Sequence, residues 1–270
     1  MNDVILGTVP YLNARPLVAR LVAGYPGVTL VEAVPSVLAK MLDRGEVQAA
    51  LVSSVIALSD PSLCALSAGG VVSDGPVKSI RVMSRVPPRD IRTMALDVSS
   101  RTGIVLARVM LHAAFGVLPD AVPMPPDVPA MLKAADSAAI IGDPALHASL
   151  NLERGKLPEV LFDIDLGTLW RDVTGLPFVY ALWTAPRNAD TAMLNRILGE
   201  AAAWGSQHID EIAAEEAPRA GLPEDFCKAY LHDNIQFALG PREWKGLNLF
   251  REKAIELNLL PRCSHSVTVS

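Results

Sequence analysis

The chain has 270 residues, of which half are hydrophobic and only 5% are aromatic, so the sequence predicts a folded protein with a mainly aliphatic core. Its formal net charge is -5, and its 24 Lys and Arg residues are scattered along the chain, which argues against nucleic acid as a partner. No stretch approaches the roughly 20 consecutive apolar residues of a membrane span, and the first residues do not resemble a secretory signal, so we expect a cytoplasmic protein.

Strands and helices alternate in the first part of the chain. The first strand is an apolar run over residues 4–9, and Pro16 begins the helix that follows. The same pattern repeats over residues 28–45, and a further apolar run covers residues 47–52. Such alternation predicts a parallel sheet with helices in the crossover connections. The Asp-Gly pair at 74–75 lies between two β-prone stretches, which predicts a turn between antiparallel strands.

The middle of the chain restarts the alternation. The polar, proline-bearing segment 85–90 predicts a first crossing between two lobes. A strand over 93–97 and a helix over 102–115, ended by Gly116, follow it. The apolar strand 178–184 predicts the return crossing. The sequence after this strand is typical of helices.

These two crossings predict a two-lobed α/β protein with a type II periplasmic-binding-protein-like fold. Each lobe would hold a mixed, mostly parallel sheet, and the C-terminal third would be helical. The predicted lobe 1 comprises residues 1–86 and 184–270, and the predicted lobe 2 comprises residues 87–183, with a ligand cleft between them. Open parallel sheets bind ligands beyond the carboxyl ends of their strands, so the strand-to-helix loops are the expected places for functional residues.

One of these loops carries the strongest signal for anion binding. Ser100, Arg101, Thr102 and Gly103 lead into a predicted helix. Hydroxyls, a guanidinium and unpaired amides therefore converge on the positive end of the helix dipole. This pattern predicts a carboxylate or phosphate site, and plain capping of the helix is the alternative.

Three other loops carry polar side chains at predicted strand ends. Tyr11 and Asn13 follow the first strand, and the Asn13 amide could orient a carboxylate or a hydroxyl. Ser53 and Ser54 follow the third strand and could bind an anion with their hydroxyls and amides. Asp143 ends a buried strand and could orient a hydroxyl or act as a base. Helix capping is the alternative for each of these loops.

Other polar residues give weaker signals or none. Ser79 and Ser84, on the strand near the first crossing, are weaker candidates because a strand serine usually only fills space. Cys64, Cys227 and Cys263 are far apart and, like the histidines, show no metal-ligand spacing. The motifs GxGxxG, CxxC, HExxH and GxSxG are absent. The sequence therefore predicts neither a metal nor an organic cofactor.

Six segments of the sequence carry a resemblance to known proteins: LGTVPYLNARPL, the LVSS loop, GPVKSIRVMS, ALDVSSRTGIVLARVML, AIIGDPAL and DLGTLWRDVTGLPFVYALW. Together they resemble the menaquinone-biosynthesis proteins of the futalosine pathway, and among them the chorismate dehydratases. The resemblance spans residues 5 to about 185. It implies a binding-protein fold and the conversion of chorismate to 3-[(1-carboxyvinyl)oxy]benzoate with loss of water, without metal or organic cofactor.

The resemblance also implies roles for individual residues. Asn13 and Ser79 would form the catalytic centre, either positioning the leaving hydroxyl or assisting proton movement. The substrate-binding residues would be Tyr11, Ser53, Ser54, Ser100, Arg101, Thr102, Gly103 and Asp143. The proton acceptor stays open between Asp143 and a carboxylate of the substrate itself.

Two alternatives accompany this interpretation. One is the lyase of the same pathway that forms 1,4-dihydroxy-6-naphthoate, which shares the fold. The other is a non-catalytic solute-binding protein for a small carboxylate, because fold is a weak guide to function. The expected partner is a small dicarboxylate, without nucleic acid or membrane, and a homodimer is compatible with the sequence.

Overall fold

The computed structural model describes residues 4–97 and 101–262, with the side chain of Ser36 left out. Within these residues, the strands form two five-stranded sheets. The first sheet has the order β2-β1-β3-β10-β4, with strands β1 (Val4–Thr8), β2 (Val28–Glu32), β3 (Ala49–Ser53), β4 (Leu63–Ser73) and β10 (Phe178–Pro186). The second sheet has the order β7-β6-β8-β5-β9, with strands β5 (Ile80–Ser84), β6 (Thr93–Asp97), β7 (Asp120–Met124), β8 (Ser137–Ile141) and β9 (Phe162–Asp165).

The two sheets have the same plan. In each, parallel strands lie on one side, β2-β1-β3 in the first sheet and β7-β6-β8 in the second. The next strand, β10 in the first sheet and β5 in the second, runs antiparallel to both its neighbours. In the chain, β10 comes after all strands of the second sheet, and β5 comes directly after β4 of the first sheet. The predicted fold class, α/β with a mixed and mostly parallel sheet in each lobe, is confirmed.

Two strands lie in sheets other than the predicted ones. β5 was predicted within lobe 1 but belongs to the second sheet, and β10, assigned to lobe 2 up to residue 183, belongs to the first. The hairpin predicted across residues 74–75 is therefore wrong, and the chain leaves the first sheet before Ile80. β5 pairs with apolar strands far along the chain, such as β8, where Val82 lies opposite Ala139. That long-range pairing outweighs the local turn signal.

Burial explains why the central strands lack alternation. The first four residues of β3 are buried, and so are the first four of β8, because helices cover both faces of the sheets. The helices over the first two thirds of the chain are α1 (Arg15–Val22), α2 (Pro35–Asp43), α3 (Ser54–Ser59), α4 (Thr102–Phe115), α5 (Val128–Ala134), α6 (Asp143–Glu153) and α7 (Leu166–Thr174). The predicted bounds of α4 are confirmed, since Gly116 follows it with a left-handed φ of 74°.

The last third of the described chain is helical, as predicted. It contains α8 (Thr191–Gln207), α9 (Ile209–Ala220), α10 (Glu224–Asp233) and α11 (Pro241–Glu256). The long helical run predicted from residue 190 is divided at His208. Its ring bonds the Trp204 carbonyl oxygen at 2.7 Å, and its backbone N–H bonds Gly205 instead. The carbonyl needed to continue α8 is thus occupied.

Helix α8 packs closely on α1 through Gly205. A Cβ atom at Gly205 would lie 1.7 Å from the carbonyl oxygen of Pro16, so no side chain fits there. Gly199, two turns earlier on the same helix, has no atom within 4 Å of such a Cβ. The first glycine therefore sets the distance between the helices, while the second has no packing role.

We expect opposite effects of alanine at these two glycines. Gly205→Ala should lower the free energy of unfolding by about 1–3 kcal/mol, because the methyl group overlaps backbone. Gly199→Ala should raise it by up to about 1 kcal/mol, because alanine favours a helix over glycine. Urea unfolding followed by circular dichroism measures both, and equal effects of the two substitutions would contradict the packing argument.

Candidate functional site

A cleft of about 650 Å³, including space open to solvent, lies between the two sheets. Residues from both lobes line it: Val9, Tyr11, Asn13, Pro35, Leu51, Ser53, Val71, Tyr180 and Ala181 from the first, and Ile80, Arg101, Thr102, Gly103, Ile141 and Gly142 from the second. Several of these follow the carboxyl ends of β1, β3, β6 and β8. The cleft is therefore at the strand ends where the sequence predicted a ligand site.

The loop after β1 brings Tyr11 and Asn13 to the cleft. A short 3-10 turn, Leu12–Ala14, gives the loop its shape. The Tyr11 ring lies against Gly142, where a Cβ atom would be at the ordinary contact distance of 3.5 Å from the ring. The backbone φ of +68° there favours glycine. The first loop of the sequence prediction is thus placed in the cleft.

The two serines after β3 point in different directions. Ser53 lines the cleft, and its hydroxyl is buried without a hydrogen-bond partner among the described residues. Ser54 is fully buried and donates its hydroxyl to the carbonyl oxygen of Val179 in β10. A buried hydroxyl without a partner costs stability, so Ser53 is the serine here that is available to a ligand.

Helix α4 directs its N-terminal end into the cleft with Arg101, Thr102 and Gly103. Arg101 is exposed and forms no ion pair with a described residue. The Thr102 hydroxyl accepts a hydrogen bond of 3.1 Å from the backbone N–H of Val55 in α3, across the cleft. Ser100, predicted in the same loop, lies outside the described residues.

Asp143 faces a second cavity, of about 430 Å³, instead of the cleft. This cavity also contains Arg15, Glu216 and Arg219, and the buried Arg15 guanidinium forms an ion pair of 3.2 Å with Glu216. Asp143 Oδ1 accepts a 3.2 Å hydrogen bond from the backbone N–H of Leu12, in the loop after β1. Burial raises the pKa of the Asp143 carboxyl, although the Leu12 hydrogen bond acts in the opposite direction.

Ser79 lies behind the cleft wall, fully buried, and does not line the cleft. Its hydroxyl accepts a 2.8 Å hydrogen bond from the hydroxyl of Tyr230, which in turn is hydrogen-bonded to the side chain of Asn13. The two residues predicted as the catalytic centre are therefore joined by a third. The sequence did not indicate a functional role for Tyr230, because a tyrosine on an amphipathic helix is usually a core residue.

Tyr180 is a second tyrosine that the sequence analysis missed. It lines the cleft from β10, and its hydroxyl lies 2.8 Å from the Ser73 hydroxyl. Burial raises the pKa of the Tyr180 phenol well above its ordinary value, so it remains protonated. The sequence did not indicate that Tyr180 lines a site, because it lies in a continuous apolar strand and such a strand predicts burial on both faces.

The lining of the cleft contains donors and apolar surface but no acidic group, histidine or cysteine among the described residues. In the same part of the chain, no three histidine, cysteine or acidic side chains come together as metal ligands would. No helix in the described ranges has the length and apolarity that crossing a membrane needs. The cleft can thus bind an anion beside apolar surface, but the described part of its walls supplies no strong base.

Solved structures with the same fold identify the class of protein. The periplasmic aliphatic sulphonate binding protein of Escherichia coli is 18% identical, with a TM-score of 0.65 over 99% of this chain and 90% of that chain. A protein from Archaeoglobus fulgidus is also 18% identical, with a TM-score of 0.75 over 96% of this chain and 98% of that chain. The fold is that of the periplasmic binding proteins, as the sequence predicted.

Sequence relatives define the family more narrowly. The profile of the menaquinone biosynthesis family matches residues 4–256. A chorismate dehydratase from Thermus thermophilus is 32% identical over 263 residues, which cover 93% of this chain and 95% of that protein. The chain belongs to the menaquinone biosynthesis family, and the resemblance inferred from the sequence is confirmed.

We expect Asp143 to make the stability of the protein fall with rising pH. Because its pKa is higher in the folded than in the unfolded protein, the folded state binds more protons from about pH 4 up to the raised pKa. Asp143→Asn keeps an oxygen for the Leu12 N–H and cannot ionise. The variant should therefore gain stability relative to the wild type as pH rises through this window.

Urea unfolding of both proteins at closely spaced pH values measures the difference. Below the unfolded pKa both forms of residue 143 are neutral, so the difference measured there serves as the reference. A difference that stays constant through the window, or that falls with rising pH, would contradict the effect of burial on this carboxyl.

Proposed function

We propose that the protein is a chorismate dehydratase, a hydro-lyase that converts chorismate to 3-[(1-carboxyvinyl)oxy]benzoate and water. The observation that carries this proposal is the match to the Thermus thermophilus enzyme over 93% of the chain. The family match over residues 4–256 agrees with it. The cleft supports it independently, because its lining suits a compact ring bearing anionic groups.

The α4 end of the cleft suits one carboxylate of the substrate. Arg101 supplies a cation there, and the helix dipole adds positive potential at Thr102 and Gly103. Ser53 supplies a buried hydroxyl that has no partner in the described part of the chain. A hydrogen bond from this hydroxyl to a ligand oxygen would offset the free-energy cost of burying it. Apolar side chains, including Leu51 and Ile141, would then surround the ring and exclude water.

The proposed reaction needs removal of one ring proton and loss of one hydroxyl. The proton leaves the carbon that carries the enol ether, and its electron pair is delocalised through the diene into the ring carboxylate. Expulsion of the neighbouring hydroxyl, which departs as water with that proton, gives the aromatic ring. Fixed donors around the carboxylate would stabilise this charge without reorganising during the reaction.

The geometry favours a substrate carboxylate as the proton acceptor. Asp143, the other candidate, faces the second cavity, and its Oδ1 is engaged by the Leu12 N–H. The described cleft lining offers no other carboxylate. We therefore assign Asp143 the task of fixing the loop after β1.

The buried free thiols Cys64 and Cys227 fit the reducing cytoplasm in which we propose that the enzyme acts. The predicted homodimer stays a prediction, which sedimentation of the purified protein would test.

Incubation of the purified protein with chorismate tests the function directly. We expect a benzoate-type absorbance and the mass of a product that has lost one water. Tight binding of chorismate without conversion would instead indicate a solute-binding protein. Conversion of the substrate of 1,4-dihydroxy-6-naphthoate synthase, without action on chorismate, would indicate the other lyase.

We expect Ser53→Ala to weaken substrate binding. Loss of a hydrogen bond to a charged oxygen costs about 1.5–3 kcal/mol, so KM should rise by roughly 10- to 100-fold. Ser206→Ala is the matched control, because the Ser206 hydroxyl bonds Ala202 within its own helix. An unchanged KM in Ser53→Ala would remove Ser53 from the binding site.

Asp143→Asn distinguishes the two proton acceptors. If a substrate carboxylate takes the proton, turnover should remain within about tenfold of the wild type, since the asparagine still anchors Leu12. A general base contributes about 100- to 10,000-fold, so a loss of that size in steady-state kcat would assign the proton to Asp143.

A further inference from the structure

Tyr230 connects the two residues predicted as the catalytic centre. Its side chain is 1% exposed, and its hydroxyl donates to Ser79 Oγ at 2.8 Å. The same hydroxyl is hydrogen-bonded to the Asn13 side chain. Asn13 follows the first strand, Ser79 precedes the first strand of the second lobe, and Tyr230 belongs to α10, so three distant parts of the chain meet at one oxygen.

The direction of these hydrogen bonds fixes the orientation of the Asn13 amide. A phenol has one O–H, and Tyr230 uses it to donate a hydrogen bond to Ser79. The bond between Tyr230 and Asn13 must then be donated by an amide N–H of Asn13. Asn13 lines the cleft, and we infer that its carbonyl oxygen is left to accept a hydrogen bond from a ligand there.

The position of Tyr230 is held by its surroundings. Cys227 and Leu231 on the same helix are fully buried. Just after the helix, Asn234 Nδ2 donates to the carbonyl oxygen of Pro76 at 3.0 Å, and Gln236 exchanges backbone hydrogen bonds with Val72. Burial raises the pKa of the Tyr230 phenol, so the hydroxyl keeps its proton. The Tyr230 hydroxyl is thus a fixed donor.

We propose that Tyr230 is a positioning residue of the dehydration, which orients the Asn13 amide so that its carbonyl oxygen receives the substrate hydroxyl. This inference rests on the proposed function. Ser79 then acts through Tyr230, by accepting its hydrogen bond, and does not touch the substrate. The C-terminal helices thereby contribute to the reaction as well as to the fold.

The orientation matters because the leaving C–O bond must align with the carbanion that expels it. A hydroxyl that donates to a fixed carbonyl oxygen is held in one direction relative to the ring. Without Tyr230, the amide can rotate and present its N–H groups instead, and a small misplacement at a reacting centre can cost about 100-fold in rate.

Tyr230→Phe tests this role, because it removes only the hydroxyl. We expect kcat to fall by about 10- to 100-fold while KM changes much less, since the carboxylate contacts remain. Tyr25→Phe is the matched control, because the Tyr25 hydroxyl bonds Glu200 outside the cleft. Its kcat should equal that of the wild type. Thermal unfolding of each variant separates loss of turnover from loss of folding.

Ser79→Ala and the double variant complete the test. If Ser79 acts through Tyr230, then Ser79→Ala, Tyr230→Phe and the double variant should lose similar factors in kcat. Losses that multiply in the double variant, or an unchanged kcat in Tyr230→Phe, would overturn the proposal. Should Tyr230→Phe not fold, Ser79→Ala alone decides, with an unchanged kcat counting against it. A wild-type protein that leaves chorismate unconverted would refute the proposed function itself, and with it this proposal.

Discussion

The loop after β1 is held by the second lobe and by the C-terminal helices, and the shape of the cleft depends on that. Asp143, at the start of a helix of the second lobe, accepts the N–H of Leu12. Tyr230, from the C-terminal helices, bonds the side chain of Asn13 one residue later. The position of the loop therefore depends on the positions of both the second sheet and the helical third. A movement of either would displace Asn13 relative to the rest of the cleft.

Most polar groups around the cleft are satisfied by the protein itself. The hydroxyls of Thr102, Ser54 and Ser79 have partners in Val55, Val179 and Tyr230. Satisfied buried groups add rigidity, since each would be costly to unpair. Ser53 differs, because its hydroxyl has no such partner in the described ranges. When few donors in a site lack a protein partner, selectivity for a ligand depends more on where those donors lie than on how many hydrogen bonds they make.

The crossing into the second sheet is fixed mainly by one carboxylate. Asp165 accepts the N–H groups of Val77 and Lys78 at 3.0 and 2.7 Å, and it also caps α7 through Thr168. Lys78 has a left-handed φ of 56°, which costs energy for a residue with a side chain. These hydrogen bonds to the carboxylate offset that cost and place Ser79 beneath Tyr230.

Local signals in the sequence were enough for most elements and for part of the site. Gly116 marked the end of α4, and polar residues after apolar runs placed Asn13, Ser53 and Arg101 at strand ends, where the cleft lies. The same reasoning could not separate Ser53 from Ser54, because they are neighbours at the junction of β3 and α3 and only tertiary packing decides which hydroxyl faces the cleft.

What the sequence could not supply depends on contacts between distant segments. The sheet that takes β5 is decided by pairing with β8 and β9 far along the chain, against a local Asp-Gly turn signal. Tyr230 is likewise indistinguishable from a core residue until α10 is packed behind the cleft. Asp143 could be predicted at a strand end, but which of two cavities it faces is set by how Leu12 and Arg15 pack around it.

The strand order has a consequence for synthesis on the ribosome. β10 lies between β3 and β4, yet it is translated only after the whole second sheet. While that sheet is being made, β3 and β4 lack the strand that joins them, and their exposed edges are open to pairing with other chains. The second sheet, whose strands are contiguous from Ile80 to Asp165, needs no later strand and can assemble first. The nascent chain would therefore mature from its middle outwards, with the N-terminal half waiting for the C-terminal helices.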